Sequence, residues 1–233
     1  MLSWPAPLRS PLDWLAGTLA VVANDARLEL RTRVALSGLG LFVAASLVLV
    51  RVALAQGQPS VPVAAALLWV VVVFASAVGL GRAFVAEEER GTSLLLQLHL
   101  RPSQVYAGKL VFNAGLMLGV VTLAALGFRL LVPVPLVAPG LLAAALALGA
   151  LGIAAATTLL SALVARARAA GPLLPVLSFP VLVPILYPAV TLTISASMSG
   201  SWAEAQPDLV LMGAYAGLLV SASFLLFEYV WRD

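Results

Sequence analysis

The densest group of charges in the chain is Glu87-Glu88-Glu89-Arg90, which lies between two long apolar runs. Gly91 interrupts this run, and Thr92 starts a leucine-rich stretch that Pro102 ends, so the pattern predicts a helix end, a turn and a short amphipathic helix. Charges in this setting form ion pairs with a soluble partner, and a rigid polar hairpin can pass a movement of that partner to neighbouring helices. The alternative is a solvated loop that only joins two helices.

The elements that must position this segment are strongly apolar. Of the 233 residues, 62% are hydrophobic and 10% are charged, and the mean hydropathy is +1.08. Soluble domains carry about 25% charged residues, so we predict an all-α, polytopic membrane protein with one transmembrane domain over residues 1–233. Six apolar runs reach the ~20 residues that a membrane span needs: about 34–54, 61–81, 108–132, 140–164, 172–194 and 208–230. No connection could fold as a nucleotide-binding domain, so an energy source must come from a partner.

The positive charges predict the orientation of the spans. Of the 13 lysines and arginines, all except Arg51 and Arg129 fall in ends or connections that the predicted spans place on the same side of the membrane as the N-terminus. Because cytoplasmic loops are rich in Lys and Arg, we expect both termini and the charged segment to face the cytoplasm. The charges flank spans and form no basic patch with interleaved aromatic residues, which argues against nucleic-acid binding.

Residues for catalysis or metal binding are scarce. The absence of cysteine excludes disulfides, thiolate metal sites, a catalytic cysteine and covalent heme attachment. The single histidine, His99, is predicted to be a cytoplasmic surface residue, since a metal or heme ligand would need a second ligand nearby. A Ser/His/Asp triad is excluded because the serines lie mainly on the opposite side. The span centres carry no acidic residue or histidine, which argues against an ion-driven transporter.

An amphipathic helix is predicted before the first span, over residues 10–33. Ser10 can cap it, Pro11 suits its first position, and Asp13 lies near the free backbone donors. Leu12, Leu15, Leu19, Val22 and Ala26 share one face, and Asn24, Arg27 and Arg31 share another, so the helix should lie along the membrane surface. Trp4 and Trp14 would anchor it at headgroup depth, although an ordinary cytoplasmic tail fits nearly as well.

Prolines distinguish the fifth span, which contains Pro172, Pro175, Pro180, Pro184 and Pro188. Interior prolines remove backbone hydrogen bonds, so this span should be kinked or broken and serves either as a flexible gate or as a static kinked helix. The polar stretch from Thr191 to Pro207 is predicted to be a re-entrant or surface segment on the outer side.

Small residues distinguish three further spans. The fourth span, with Gly149, Gly152 and a run of alanines, is expected to be buried among other helices. The third and sixth spans carry Gly115 and Gly119, and Gly213 and Gly217, in a Gly-x-x-x-Gly spacing that suits helix pairing but also arises easily by chance.

Several segments together resemble one known family. The residues Glu87 to Thr92, Leu94-Leu95-Leu96 and Pro102 before Gly108-Lys109-Leu110 resemble the cytoplasmic coupling segment of exporter-type ABC permeases, and specifically of the heme exporter protein B (CcmB) family of cytochrome c maturation. Further similar segments are Asp25 to Arg33, Gly79 to Phe84, Leu173-Leu174-Pro175, Pro180 to Pro184, and Phe227-Glu228. The resemblance covers residues 25–230. The charged run departs from the family, which more often begins it with Arg or Lys.

The resemblance implies a non-catalytic permease subunit, multi-pass in the bacterial inner membrane, with a cytoplasmic coupling helix between spans 2 and 3. Its expected partners are a cytoplasmic ATPase (CcmA-type), a heme-handling membrane protein (CcmC-type) with its small partner (CcmD-type), and a periplasmic heme chaperone (CcmE-type). ATP would bind the ATPase and heme would bind partner proteins, with no cofactor on this chain. The expected ATPase-coupling residues are Glu87, Glu88, Glu89, Arg90, Gly91, Thr92, Leu95 and Arg101, and the gate or kink residues are Pro175, Pro180, Pro184 and Pro188.

ATP hydrolysis would then drive either heme export or release of the heme-loaded chaperone. Two alternatives stay open: a membrane scaffold that does not transport, and an exporter permease for another hydrophobic substrate. Six spans are half of a usual permease, so we expect a homodimer with the small-residue faces and the fifth span near its interface.

Overall fold

A computed structural model of the chain describes residues 11–54, 57–79, 100–164 and 170–232, and these residues are helical apart from short connections. The described part contains seven helices, numbered here in chain order: α1 (Pro11–Thr32), α2 (Val34–Ala53), α3 (Val61–Gly79), α4 (Pro102–Leu131), α5 (Pro139–Val164), α6 (Ala170–Met198) and α7 (Trp202–Arg232). The all-helical prediction is confirmed for this part of the chain.

A single residue separates the first two helices. Arg33 adopts a left-handed conformation with φ 54°, which turns the chain sharply between α1 and α2. The carboxylate of Glu29 accepts a hydrogen bond of 2.8 Å from the backbone N–H of Leu36. A side chain of α1 therefore satisfies one of the free donors in the first turn of α2.

Five helices are long and apolar enough to cross a membrane: Leu36–Ala53, Pro102–Leu131, Pro139–Val164, Val176–Met198 and Trp202–Phe227. They correspond to the first, third, fourth, fifth and sixth predicted spans. The second predicted span corresponds to α3, whose apolar part, Val61–Ala77, is shorter in the described residues.

Helix α5 forms the centre of the bundle and packs against α4, α6 and α7. Within its apolar stretch 61% of the residues are buried, whereas 17% are buried in Leu36–Ala53. A side chain at Gly149 would collide with the indole of Trp69, and one at Gly152 would come 2.6 Å from Ile185. Because glycine permits both contacts, α3 and α6 approach α5 closely, and the prediction that the fourth span is buried is confirmed.

Buried polar pairs join the helices at defined points. The indole N–H of Trp69 in α3 donates to the hydroxyl of Thr193 in α6 at 2.9 Å. The amide of Asn113 in α4 donates to the hydroxyl of Thr158 in α5 at 2.8 Å. In apolar surroundings such bonds fix the register of neighbouring helices.

The connection between α4 and α5 meets the end of α6 at one end of the bundle. The backbone N–H groups of Val137 and Ala138 both donate to the carbonyl of Ala196, at 3.0 and 2.9 Å. The first turn of α3 lines the same region as the end of α4 and the end of α6. The start of α4 lies at the other end of the bundle.

Most of the predicted polar segment from Thr191 to Pro207 is helical rather than re-entrant, and its residues around Gly200 lie at the surface of the described protein. Helix α6 continues to Met198, Gly200 turns the chain with φ 65°, and α7 begins at Trp202. The hydroxyl of Ser197 donates to the carbonyl of Thr193 at 3.0 Å. Serines that bond one turn back satisfy their polarity inside a helix, so their number alone misled the prediction.

Candidate functional site

The predicted ATPase-coupling residues fall mostly outside the described part of the chain. These are Glu87, Glu88, Glu89, Arg90, Gly91, Thr92 and Leu95. Arg101 is described: its backbone is extended and its side chain is exposed, directly before the first residue of α4. The structure therefore describes the residues that directly follow the predicted coupling segment in the chain.

Gln104 organises the start of α4. Its side-chain carbonyl accepts a hydrogen bond of 2.9 Å from the backbone N–H of Arg101, and Pro102 occupies the first helical position, where its missing N–H costs nothing. The amide nitrogen of Gln104 donates to the carbonyls of Asp13 and Trp14 in α1, at 3.1 and 3.3 Å. One buried side chain thus caps α4 and binds the first turn of α1.

Two further contacts extend this junction between α1 and α4. The indole N–H of Trp14 donates to the hydroxyl of Ser103 at 3.1 Å. A side chain at Gly108 would lie 2.6 Å from the side chain of Val21 and 3.0 Å from the carbonyl of Thr18. Glycine at position 108 therefore lets the two helices touch. The contacts thus run in the same direction along both helices, from Trp14 and Ser103 to Val21 and Gly108.

A buried ion pair lies one turn further along the junction. The ammonium of Lys109, 2% exposed, lies 3.1 Å from a carboxylate oxygen of Asp25, 12% exposed. Lys109 was counted above among the charges that set the orientation, yet its charge is neutralised within the protein. A charge that is removed from water persists only with such a partner.

Tyr106 connects the same turn of α4 to the end of α7. It is completely buried and meets the ring of Phe224 edge-on at a centroid distance of 5.1 Å, and the ring of Phe227 at 5.2 Å. Phe227 belongs to the Phe227-Glu228 segment on which the family resemblance partly rests. The first turns of α4 are therefore held between α1 and α7.

The first part of the apolar face predicted for α1 is turned away from the rest of the described protein. Leu12, Leu15 and Leu19 are exposed, at 74%, 50% and 63%, whereas Val22 and Ala26 of the same predicted face are half-buried. Trp14, which we expected to anchor the helix at headgroup depth, donates to Ser103, and its depth in the membrane stays a prediction. Helix α1 thus has a third face, with Trp14 and Asp25 among its residues, that packs on α4.

The predicted gate or kink residues lie in α6. The helix runs without interruption from Ala170 to Met198, so the expectation of a broken element is wrong for this stretch, and the kink stays a prediction. Pro180 is exposed, Pro184 is half-buried and Pro188 is buried, while the side chain of Pro175 is outside the described residues. Helix α5 packs against both α4 and α6, and the prolines are not brought together with Arg101.

Sequence reasoning missed Gln104, the Lys109–Asp25 pair and the buried Tyr106. The pair joins residues 84 positions apart, and no periodicity relates them. One signal was available: Lys109 and Asp25 both occur in segments quoted for the family resemblance. In the described residues, no three His, Asp or Glu side chains lie close enough together to hold a metal ion.

This arrangement joins helices at one end of the bundle. Hydrogen bonds, an ion pair and aromatic packing bind the first two turns of α4 to α1 and α7. In the sequence, the predicted coupling segment leads into Arg101, the residue that precedes α4.

Comparison with known proteins assigns the family. A search of curated proteins gives no match. The family model described as CcmB protein matches residues 17–228, nearly the whole chain and all of the junction except Asp13 and Trp14. The chain therefore belongs to the CcmB family, the heme exporter permease component of cytochrome c maturation.

Proposed function

We propose that this chain is the permease subunit that couples ATP hydrolysis on a separate cytoplasmic ATPase to heme export, or to release of the heme-loaded periplasmic chaperone. The ATPase would dock on the segment from Glu87 to Arg101. Glu87, Glu88, Glu89 and Arg90 would position it through ion pairs, while Gly91, Thr92 and Leu95 shape and seat the short coupling helix.

The observation that carries this proposal is the bonded junction at the start of α4. A displacement of the docked segment reaches Arg101 first, and Gln104 links that residue to α1 through a hydrogen-bonded side chain. Tyr106 extends the connection to α7. A movement transmitted to Arg101 can therefore reach α1 and α7 through bonded and packed side chains of the described residues.

The proposed topology has six spans in a single domain over residues 1–233, with both termini and the coupling segment in the cytoplasm of a bacterial cell and the spans in its inner membrane. Support comes from the positive charges and from the apolar run of α3, which continues in the sequence to Gly81. Helix α1 would lie in the cytoplasmic interface with Leu12, Leu15 and Leu19 toward lipid.

The proposed assembly contains two copies of this chain over a CcmA-type ATPase, with CcmC-type, CcmD-type and CcmE-type partners that handle heme. Two glycine pairs support the dimer. An added side chain at Gly115, Gly119, Gly213 or Gly217 would meet nothing within 4 Å, so these faces are not used for packing within the described part of one copy and are open to a second.

The coupling proposal is tested by replacing all three glutamates at 87, 88 and 89 with lysine. We expect about tenfold less ATPase to co-purify with the chain, because reversed charges repel the docking surface. The amount of chain in the membrane should not change. The matched control is Glu204→Lys, which reverses an exposed carboxylate at the opposite end of the bundle.

Unchanged recovery of the ATPase with the triple variant would contradict the docking assignment. A separate measurement addresses the scaffold alternative: with a catalytically inactive ATPase, the chaperone should fail to be loaded if hydrolysis drives export, or be loaded but not released if hydrolysis drives release. Normal release under that condition would identify the chain as a static scaffold.

A further inference from the structure

An open groove lies at the end of the bundle that carries the α4–α5 connection. Its walls are the first turns of α3, the last turns of α4 and the last turns of α6. Leu68 and Phe128 lie inside it, and Ala64, Ala65 and Ala125 leave room between the helices. The groove is therefore open to its surroundings and lined mainly by apolar side chains, which suits a hydrocarbon chain.

The polar groups inside the groove are already satisfied. The hydroxyl of Thr193 donates to the carbonyl of Ala189 at 2.8 Å and accepts from Trp69. The hydroxyl of Ser197 donates to the carbonyl of Thr193 at 3.0 Å. A ligand in this interior gains apolar contact and no strong directional bond.

One cation stands at the mouth of the groove. The guanidinium of Arg129 donates to the carbonyl of Val134 at 2.9 Å, which holds it in place, and among the described residues no carboxylate pairs with it. A guanidinium has five N–H donors in a planar fork that matches a phosphate. The rest of the fork is open to an anion.

The position of Arg129 fits a membrane headgroup. It lies two residues before the end of the apolar stretch Pro102–Leu131, which corresponds to about 3 Å along a helix. Cations at the ends of spans reach the level of the lipid phosphates.

We propose that this groove binds one anionic phospholipid, with its phosphate on Arg129 and an acyl chain between α3, α4 and α6. Heme also combines an apolar body with anionic groups. However, the described residues that line the groove include no His, Met or Tyr to bind its iron. The lipid would hold three helices together at the end of the bundle opposite the α1–α4 junction. The inference rests on the groove alone and not on the proposed coupling function.

The test measures lipid binding to the purified, delipidated chain by native mass spectrometry, with dioleoylphosphatidylglycerol and dioleoylphosphatidylcholine as probes. We expect one phosphatidylglycerol per chain, bound about tenfold more tightly than phosphatidylcholine, as an added charge-assisted phosphate contact allows. Arg129→Gln should abolish that preference, and Arg129→Lys should retain most of it. Arg51→Gln should change nothing, because Arg51 is exposed near the end of α2 and does not line the groove.

A second variant tests the groove independently, in case Arg129→Gln disturbs folding. Ala125→Leu fills the groove without touching its charge and should weaken both lipids. Equal binding of the two lipids by the wild-type chain, or a preference that survives Arg129→Gln, would overturn the proposal. Displacement of the bound phosphatidylglycerol by one equivalent of hemin would also overturn it, since it would identify the groove as a heme site.

Discussion

The ammonium of Lys109 and the carboxylate of Asp25 are enclosed where α1 crosses α4, and their contact depends on the small residue at Gly108. Removing a charge from water costs several kcal/mol of free energy, and the attraction between the two charges offsets this penalty only when both partners are present. The pair therefore specifies which face of α1 meets α4 more than it adds net stability.

Asp25→Ala is predicted to destabilise the purified chain by about 3 kcal/mol, because the buried ammonium of Lys109 loses its carboxylate. Thermal unfolding in detergent measures the effect. Adding Lys109→Met removes the buried charge as well and should restore part of the lost stability. Arg27→Ala, on the exposed side of α1, is the control and should change little. A double variant no more stable than Asp25→Ala alone would show that the pair is not the source of the effect.

For single residues, the sequence predicted helix starts and exposure better than it predicted contacts between distant side chains. The start of α1 at Pro11 and the exposure of Leu12, Leu15 and Leu19 follow from local rules. The bonds of Gln104 and Lys109 could not be predicted, because each depends on where two distant helices cross, and a single sequence contains no measure of that crossing.

Helix α6 is the element whose sequence conflicts most with its structure. Interior prolines remove a backbone bond and crowd the preceding turn, yet the helix is continuous through Pro180, Pro184 and Pro188. Its neighbours support it: the hydroxyl of Tyr215 in α7 donates to the carbonyl of Val181 at 3.0 Å. An element held in place by its neighbours, with weakened internal bonding, is suited to bend.

Pro180→Ala is predicted to stabilise the chain by on the order of 1 kcal/mol while lowering cytochrome c maturation in cells that lack the native gene. Alanine restores a backbone N–H, and since Pro180 is exposed, little packing is lost. Thermal unfolding and the yield of matured cytochrome c are the two measurements. Pro139→Ala is the matched control, because proline at the first position of α5 removes no helical bond. Full maturation with Pro180→Ala would favour a static kinked helix.

Element prediction succeeded where composition and burial agree. The alanines and glycines of α5 predicted a buried span because only small residues let helices approach closely in lipid. The turn at Gly200 was missed because polarity was interpreted as irregular structure. The boundary at Pro102 was predicted by proline, although α4 begins six residues before the predicted third span, where α1 satisfies its polar residues.

The molecule as a whole exposes surfaces that one copy does not use. Ala44 and Ala45 in α2 are exposed, as are Val176 and Val183 in α6. The absence of cysteine allows each position to carry the only thiol. In a homodimer whose interface includes either helix, a cysteine at one or more of these positions should form a symmetric disulfide in native membranes.

The control positions are Val43 and Ala189, which are buried within one copy and should not cross-link. Absence of any symmetric product through 34–54 and 172–193 would argue for a single copy in the complex. At this scale the family and the helical class were predictable from composition and quoted segments. The partner surfaces were not, because they depend on proteins that this sequence does not contain.

The last prediction concerns heme, and it follows from where the possible iron ligands lie. Met117 and Met212 are completely buried in the core, whereas Met198 is 63% exposed at the end of α6. Tyr187 is 69% exposed, and the hydroxyl of Tyr215 donates to Val181. Axial ligation needs a His, Met, Cys or Tyr side chain held at the iron, and of these described candidates only Met198 and Tyr187 have exposed side chains. His99 and Met1 lie outside the described part of the chain.

We therefore expect the subunit purified alone from heme-replete cells to show no stoichiometric Soret band, and the complex with its heme-handling partner to show one. The two absorption spectra, recorded at equal concentrations of this chain, make the comparison. His99→Ala should leave both spectra unchanged, because on the predicted cytoplasmic side this histidine could not deliver heme to the opposite side of the membrane. A Soret band in the isolated chain that disappears with His99→Ala would contradict both the heme prediction and the assignment of His99 to the surface. Heme would then bind this subunit close in sequence to the segment proposed to dock the ATPase.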